Sequence, residues 1–152
     1  MNSILSKLTM AILSLVVSTF VFAADNPKEE WLFVHTAQEA QATSSTLVMP
    51  ISRDIFAFTD RPYRKHIYLT GDKFASLWSD SSNDSFKVNP PNAVLTWIEE
   101  GVIKEVEVVI ANATSDGKNI TYTLKNNHTL NAELKDVSIF VDADGCHYCG
   151  MD

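Results

Sequence analysis

The chain has 152 residues, with 12 Lys and Arg against 19 Asp and Glu, a formal charge of −7, and 45% hydrophobic residues. That length suits one ordinary domain with a real core. The acidic balance, with basic residues scattered except around Arg61, Arg64 and Lys65, argues against nucleic acid or anionic lipid as a partner, because phosphate binding needs clustered cations.

The first segment reads as an address. Lys7 precedes the unbroken apolar run LTMAILSLVVSTFVFA, which suits a signal-peptide core and is a little short for a comfortable membrane span. Val21-Phe22-Ala23 places compact residues where a signal peptidase reads, and Ala24-Asp25-Asn26-Pro27 then turns polar. Residues 1–23 are therefore expected to be a signal peptide cleaved after Ala23 or Ala24, the alternative being an uncleaved N-terminal anchor. No cysteine lies near that point, which excludes a lipoprotein, and no later stretch is apolar and long enough to cross a bilayer. Residues 24–152 then form a single β-rich domain. With Lys7 removed, eleven basic residues face nineteen acidic ones, a balance of −8.

Along that domain the hydrophobic period is mostly two. Strands are expected at 30–37, 45–51, 54–60 and 65–70, each rich in β-branched or aromatic residues and bounded by turn formers. The rhythm breaks in TGDKFASLWSD, where Phe74, Leu77 and Trp78 fall at i, i+3 and i+4. Residues 72–79 thus read as a short amphipathic helix capped near Thr70 or Asp72. Asn89-Pro90-Pro91-Asn92 is a rigid corner leading into a strand at 93–98; Asn89 and Asn92 at a ligand is the weaker reading. Alternation in KEVEVVIAN and NITYTLKN flanks Asp116-Gly117, which predicts a hairpin with a type I′ turn. A last strand is expected at 136–142. Several short strands with one small helix predict an all-β fold, an antiparallel β-sandwich or partly open barrel.

Candidate sites are few. Arg61 and Arg64 in Thr59-Asp60-Arg61-Pro62-Tyr63-Arg64 form a possible anion-binding pair, although turn chemistry accounts for every residue type there. No nucleophile elbow, zinc-protease motif or glycine-rich phosphate loop occurs, so no catalytic residue is assigned. His35, His66, His128 and His147 are scattered, and His35 alternates with apolar neighbours as a satisfied core or interface histidine would. Asp142-Ala143-Asp144-Gly145 resembles the opening of a calcium loop, but Cys146 stands where the third oxygen ligand belongs.

Several of these segments resemble, in order, a group of small uncharacterised exported proteins of marine and other environmental bacteria. The resemblance is carried by Val34-His35-Thr36-Ala37, Phe58-Thr59-Asp60-Arg61-Pro62-Tyr63-Arg64, Phe74 with Trp78, Ser85-Phe86, Pro90-Pro91-Asn92-Ala93-Val94-Leu95 and the final Ile139-Phe140-Val141-Asp142. It covers nearly the whole domain and implies an exported single domain with no activity to carry over. A bacterial setting also discounts glycans at the Asn-x-Ser/Thr matches of Asn83, Asn112, Asn119 and Asn127.

Cys146 and Cys149, in GCHYCGMD, are the only cysteines. A thioredoxin-type pair opens a helix, and Gly150-Met151-Asp152 do not supply one. A haem attachment needs His directly after the second cysteine, where Gly150 stands. An oxidising compartment favours a Cys146–Cys149 disulfide. The alternatives are a zinc or copper site using Cys146, His147 and Cys149, which needs further ligands from elsewhere, and a thiol-disulfide protein. Taken together, the sequence predicts an exported, periplasmic or extracellular, non-enzymatic β-domain that binds a ligand or serves a structural role, without a cofactor.

Overall fold

The computed structural model describes residues 29–79 and 85–143. The expected signal peptide, Asn83, and Cys146, His147 and Cys149 lie outside the described residues. Eight strands follow in chain order: β1 (Trp31–Ala42), β2 (Thr46–Pro50), β3 (Ile55–Thr59), β4 (His66–Leu69), β5 (Asn92–Glu99), β6 (Val102–Ser115), β7 (Asn119–Leu124) and β8 (Glu133–Asp142). Between β4 and β5 lies helix α1 (Gly71–Ala75), which tightens into a 3₁₀ turn over Ser76–Trp78. The all-β expectation holds, in its barrel form.

Every pairing is antiparallel, in the order β2-β7-β6-β5-β8-β1-β3-β4. The pairs Gln41↔Val48 and Ala42↔Leu47 join β1 to β2 and close six strands into a barrel, with β3 and β4 as an extension. Both β2 and β3 lie on the edge of β1 away from β8, at opposite ends of that long strand. Closure removes the free edges of the barrel strands, while β4 at the end of the extension pairs on one side only among the described residues.

Alternation sorts side chains between the two faces. Phe33, Leu47, Met49, Ile55, Leu95, Ile110, Ile120, Val137, Ile139 and Val141 point inward and are fully buried. Each such side chain contributes about 1.5–3 kcal/mol relative to exposure. The helix plugs the barrel: Phe74 lies 5.1 Å from Phe33, Trp78 lies 5.4 Å from Phe74, and Phe86 lies 4.7 Å from Trp78, ring centre to ring centre. The Trp78 indole N–H donates to the Ile110 carbonyl at 3.1 Å, satisfying its one polar group. Thr70 is the N-cap, its hydroxyl accepting from the Lys73 N–H at 3.2 Å. Phe74, Trp78 and Phe86 are therefore packing residues.

One turn differs from expectation. A type I′ turn needs positive φ at both central residues, but only Gly117, at 82°, meets that condition in the β6–β7 hairpin. The Asp116 carboxylate explains the difference, because it accepts from the backbone N–H groups of Lys118 (2.8 Å) and Asn119 (2.6 Å) and closes the loop with its side chain. The same hydrogen bonds, from Asn119 first, hold its pKa below the ordinary carboxylate range. The two-residue loop with both positions at positive φ is Glu100 (51°) and Gly101 (76°), which joins β5 to β6. Among the described residues, no helix is long and apolar enough to cross a membrane.

Candidate ligand cleft on the outer face

The outward positions of six neighbouring strands line up in register. Tyr68 on β4 pairs with Phe56 on β3, Phe56 with Val34 on β1, and Val34 with Phe140 on β8. Phe140 then pairs with Val94 on β5, and Val94 with Glu107 on β6. The next row begins His66, Phe58, Leu32, Asp142 in the same way. These residues face outward because their neighbours Ile55, Ala57, Phe33, Val141 and Ala93 take the inward positions. The result is an apolar band on the outside of the barrel. Phe56 and Phe58 stack at 5.6 Å and 26°, and Tyr68 closes on Phe56 at 5.2 Å while remaining 65% exposed.

At the β6 end the band dips into a cleft of about 520 Å³, within the usual range of small-molecule sites. Its floor is Leu32, Val94 and Phe140, and its rim carries Asn92, Glu107, Asn126, His128 and Asp142. The segment after β7 builds the far wall, held by Lys125 N–H to the Val109 carbonyl (2.9 Å) and His128 N–H to the Ser44 carbonyl (2.7 Å). Nε2 of His128 is shielded from solvent and has no hydrogen-bond partner among the described residues, and a buried polar group of that kind calls for an explanation. A second hollow of about 240 Å³, with Glu30, Trp31, Phe58 and Asp60, shares Leu32 and Asp142 with the first. Among the described residues, no Lys or Arg lines either one. A more open groove of about 620 Å³ between α1 and the β6–β7 hairpin is lined by small and hydroxyl residues such as Ala75, Ser76 and Thr114, and has no comparable apolar floor.

The expected site residues fall in different places. Arg61 and Arg64 are exposed in the turn after β3 and line none of the clefts described. That turn is held by backbone and short side chains: Asp60 accepts from the Arg61 N–H (2.6 Å) and its carbonyl from the Arg64 N–H (3.1 Å), while Thr59 Oγ1 accepts from the Lys65 N–H (2.9 Å). Asn89 bonds back to the Ser85 carbonyl at 2.9 Å, whereas Asn92 stands on the cleft rim, as does Asp142 from the suspected calcium loop.

His35 is a core histidine with both nitrogens satisfied. It is 2% exposed and points inward from β1. Nε2 lies 3.0 Å from the Pro50 carbonyl, which can only accept, so Nε2 carries the proton. Nδ1, 2.8 Å from the fully buried Tyr122 hydroxyl, therefore accepts the phenol proton. Burial pushes the imidazole pKa below its ordinary value, only partly opposed by the Pro50 bond, and pushes the Tyr122 phenol well up. The pair is neutral and closed to solvent, an internal strut between β1 and β7 and no general base.

Sequence reading missed Phe56, Phe58, Phe140 and Val94 as surface residues. The signal was present: IFAF and VSIFV are apolar at consecutive positions, so each strand has an apolar residue on both faces. Comparisons of the chain with protein-family models, with curated proteins and with solved structures found no match.

Proposed function

We propose that this chain is an exported, non-enzymatic binding domain whose ligand surface is the outer face of β4-β3-β1-β8-β5-β6. One observation carries the reading: an apolar row five strands long, from Tyr68 to Val94, ends in a cleft bordered by Asn92, Glu107, Asn126, His128 and Asp142. Concave sites of this make-up, apolar floor with a few convergent polar groups, are where small ligands bind. Export is supported by the run LTMAILSLVVSTFVFA with its small-residue junction and by the ordered resemblance to exported bacterial proteins. The non-enzymatic part rests on the lack of a recognisable catalytic motif and, for His35, on its enclosure between Tyr122 and Pro50.

The two parts are tested separately. Expression of the whole chain in a Gram-negative host, followed by N-terminal sequencing, should give a product beginning at Ala24 or Asp25 outside the cytoplasm; a cytoplasmic product retaining Met1 refutes export. For binding, a fragment library screened against ¹⁵N-labelled protein should shift the amides of residues 92–94, 107–109 and 140–142 together. Hits that cluster elsewhere, or none at these positions, refute the assignment of the surface.

A further inference from the structure

Resting on that assignment, we propose that the ligand is a neutral oligosaccharide lying across the strands, its sugar rings on the apolar row and its hydroxyls on the rim. Charge narrows the field first. Glu107 and Asp142 border the main cleft, Glu30 and Asp60 the neighbouring hollow, and among the described residues no Lys or Arg lines either. In a chain of net charge −7, uronates, phosphates and nucleic acid are repelled from this face.

Shape and hydrogen bonding narrow it further. A lipid needs an enclosed apolar cavity, whereas this cleft opens onto the outer surface of a sheet and has a polar border. A pyranose ring presents an apolar C–H face and a periphery of hydroxyls, each both donor and acceptor. The half-buried rings of Phe140, Phe56 and Phe58 offer negative π-faces to such C–H groups. The carboxamides of Asn92 and Asn126 donate and accept, the carboxylates accept, and an imidazole does either according to its tautomer. A cationic ligand would use Glu107 and Asp142 and leave the amides and the aromatic row without a role. The row also sets a length. From Tyr68 on β4 to Val94 on β5 there are four strand-to-strand steps, about 19 Å at ordinary spacing, longer than a single sugar and suited to an oligomer.

The test is titration of ¹⁵N-labelled protein with neutral hexasaccharides: β-1,4- and β-1,3-linked glucose, β-1,4-linked N-acetylglucosamine, β-1,4-linked mannose and α-1,4-linked glucose. Hexalysine and the neutral dye N-phenylnaphthylamine serve as competitors for the other chemistries. The expected result is that at least one hexasaccharide shifts the amides of 92–94, 107–109 and 140–142, and that its dimer binds more weakly. Asn92→Ala and Tyr68→Ala, both at exposed positions, should each weaken it by about tenfold at unchanged melting temperature. Phe140→Ala should do the same, and the two exposed variants keep the test decisive if it fails to fold. Hexalysine or the dye shifting these amides, with no hexasaccharide doing so, overturns the saccharide and leaves the binding surface standing. No shift at these amides from any probe overturns both.

Discussion

Replacing Tyr122 by Phe removes one oxygen from the centre of the barrel, and the structure sets what that should cost. The ring stays, so the packing of this fully buried side chain against its neighbours is kept. What goes is the only donor to Nδ1 of His35 among the described residues, at 2.8 Å. Because Nε2 is already committed to the Pro50 carbonyl, the imidazole cannot exchange tautomers to recover the loss without orphaning that carbonyl. One buried acceptor is left unsatisfied in either case, which costs about 1–3 kcal/mol. For a domain of this size each kcal/mol lowers the melting temperature by roughly 4 °C, so Tyr122→Phe should melt roughly 4–12 °C lower.

The same pair predicts a pH dependence. His35 titrates below its ordinary 6.5 when folded, because burial disfavours the imidazolium. Below pH 6.5 the unfolded chain takes up a proton that the folded chain refuses. Stability from this group is therefore full above pH 6.5 and falls as pH drops, by up to about 1.4 kcal/mol per unit until the folded pKa is reached. His35→Gln, which can still donate to Pro50 and accept from Tyr122, should lose that acid-side slope. Thermal unfolding by circular dichroism between pH 5 and 8 measures both effects. A Tyr122→Phe variant that melts with the parent, or a His35→Gln variant that keeps the parent's slope, refutes the strut.

Three further outcomes are expected. A Cβ added at Gly117 meets nothing within 4 Å, so Gly117→Val should cost only the left-handed backbone strain, roughly 1–2 kcal/mol, and an unchanged urea midpoint would refute it. Replacing Arg61 and Arg64 together by Gln should leave stability within about 0.5 kcal/mol and export unchanged; a ligand whose affinity collapsed in that variant at unchanged melting would establish an anion site instead. Cys146 and Cys149 should be joined in exported protein, and replacing both by Ser should cost roughly 2 kcal/mol at most, since the ring is short. Alkylation of both thiols without reductant, or zinc or copper retained in a native mass spectrum, would refute the disulfide.

What was legible in the sequence is what depends on near neighbours. Alternation in KEVEVVIAN gave β6 its faces, and the spacing of Phe74, Leu77 and Trp78 marked the inward side of the helix and its 3₁₀ turn, with Phe74 and Trp78 buried and Leu77 partly so. Turn chemistry was legible in part. Asp116-Gly117 marks a hairpin, as expected, yet the loop with two positive-φ residues follows Glu99, where Glu100 offers none of the usual turn signal. There Gly101 supplies one position and cross-strand pairing imposes the other, from Glu99↔Val102 back to Asn92↔Val109.

The cleft was not legible because it depends on register, and register is a long-range property. Alternation says that Phe56 and Phe58 share a face of β3, and that Val94 and Asn92 share a face of β5. It does not say that Phe56 stands opposite Val34, or Phe140 opposite Val94. A slip of one residue at any pairing would bury the outward set and expose the core, so the core itself forbids it. A slip of two keeps every face correct and breaks the row. Only the closed barrel prevents that second error, because β1 must meet β8, β3 and β2 at once, with Ala42↔Leu47 fixing the seam. The aromatic row is thus aligned by contacts that the inward residues make. Substitutions that disturb closure should scatter the outer surface before they unfold the chain.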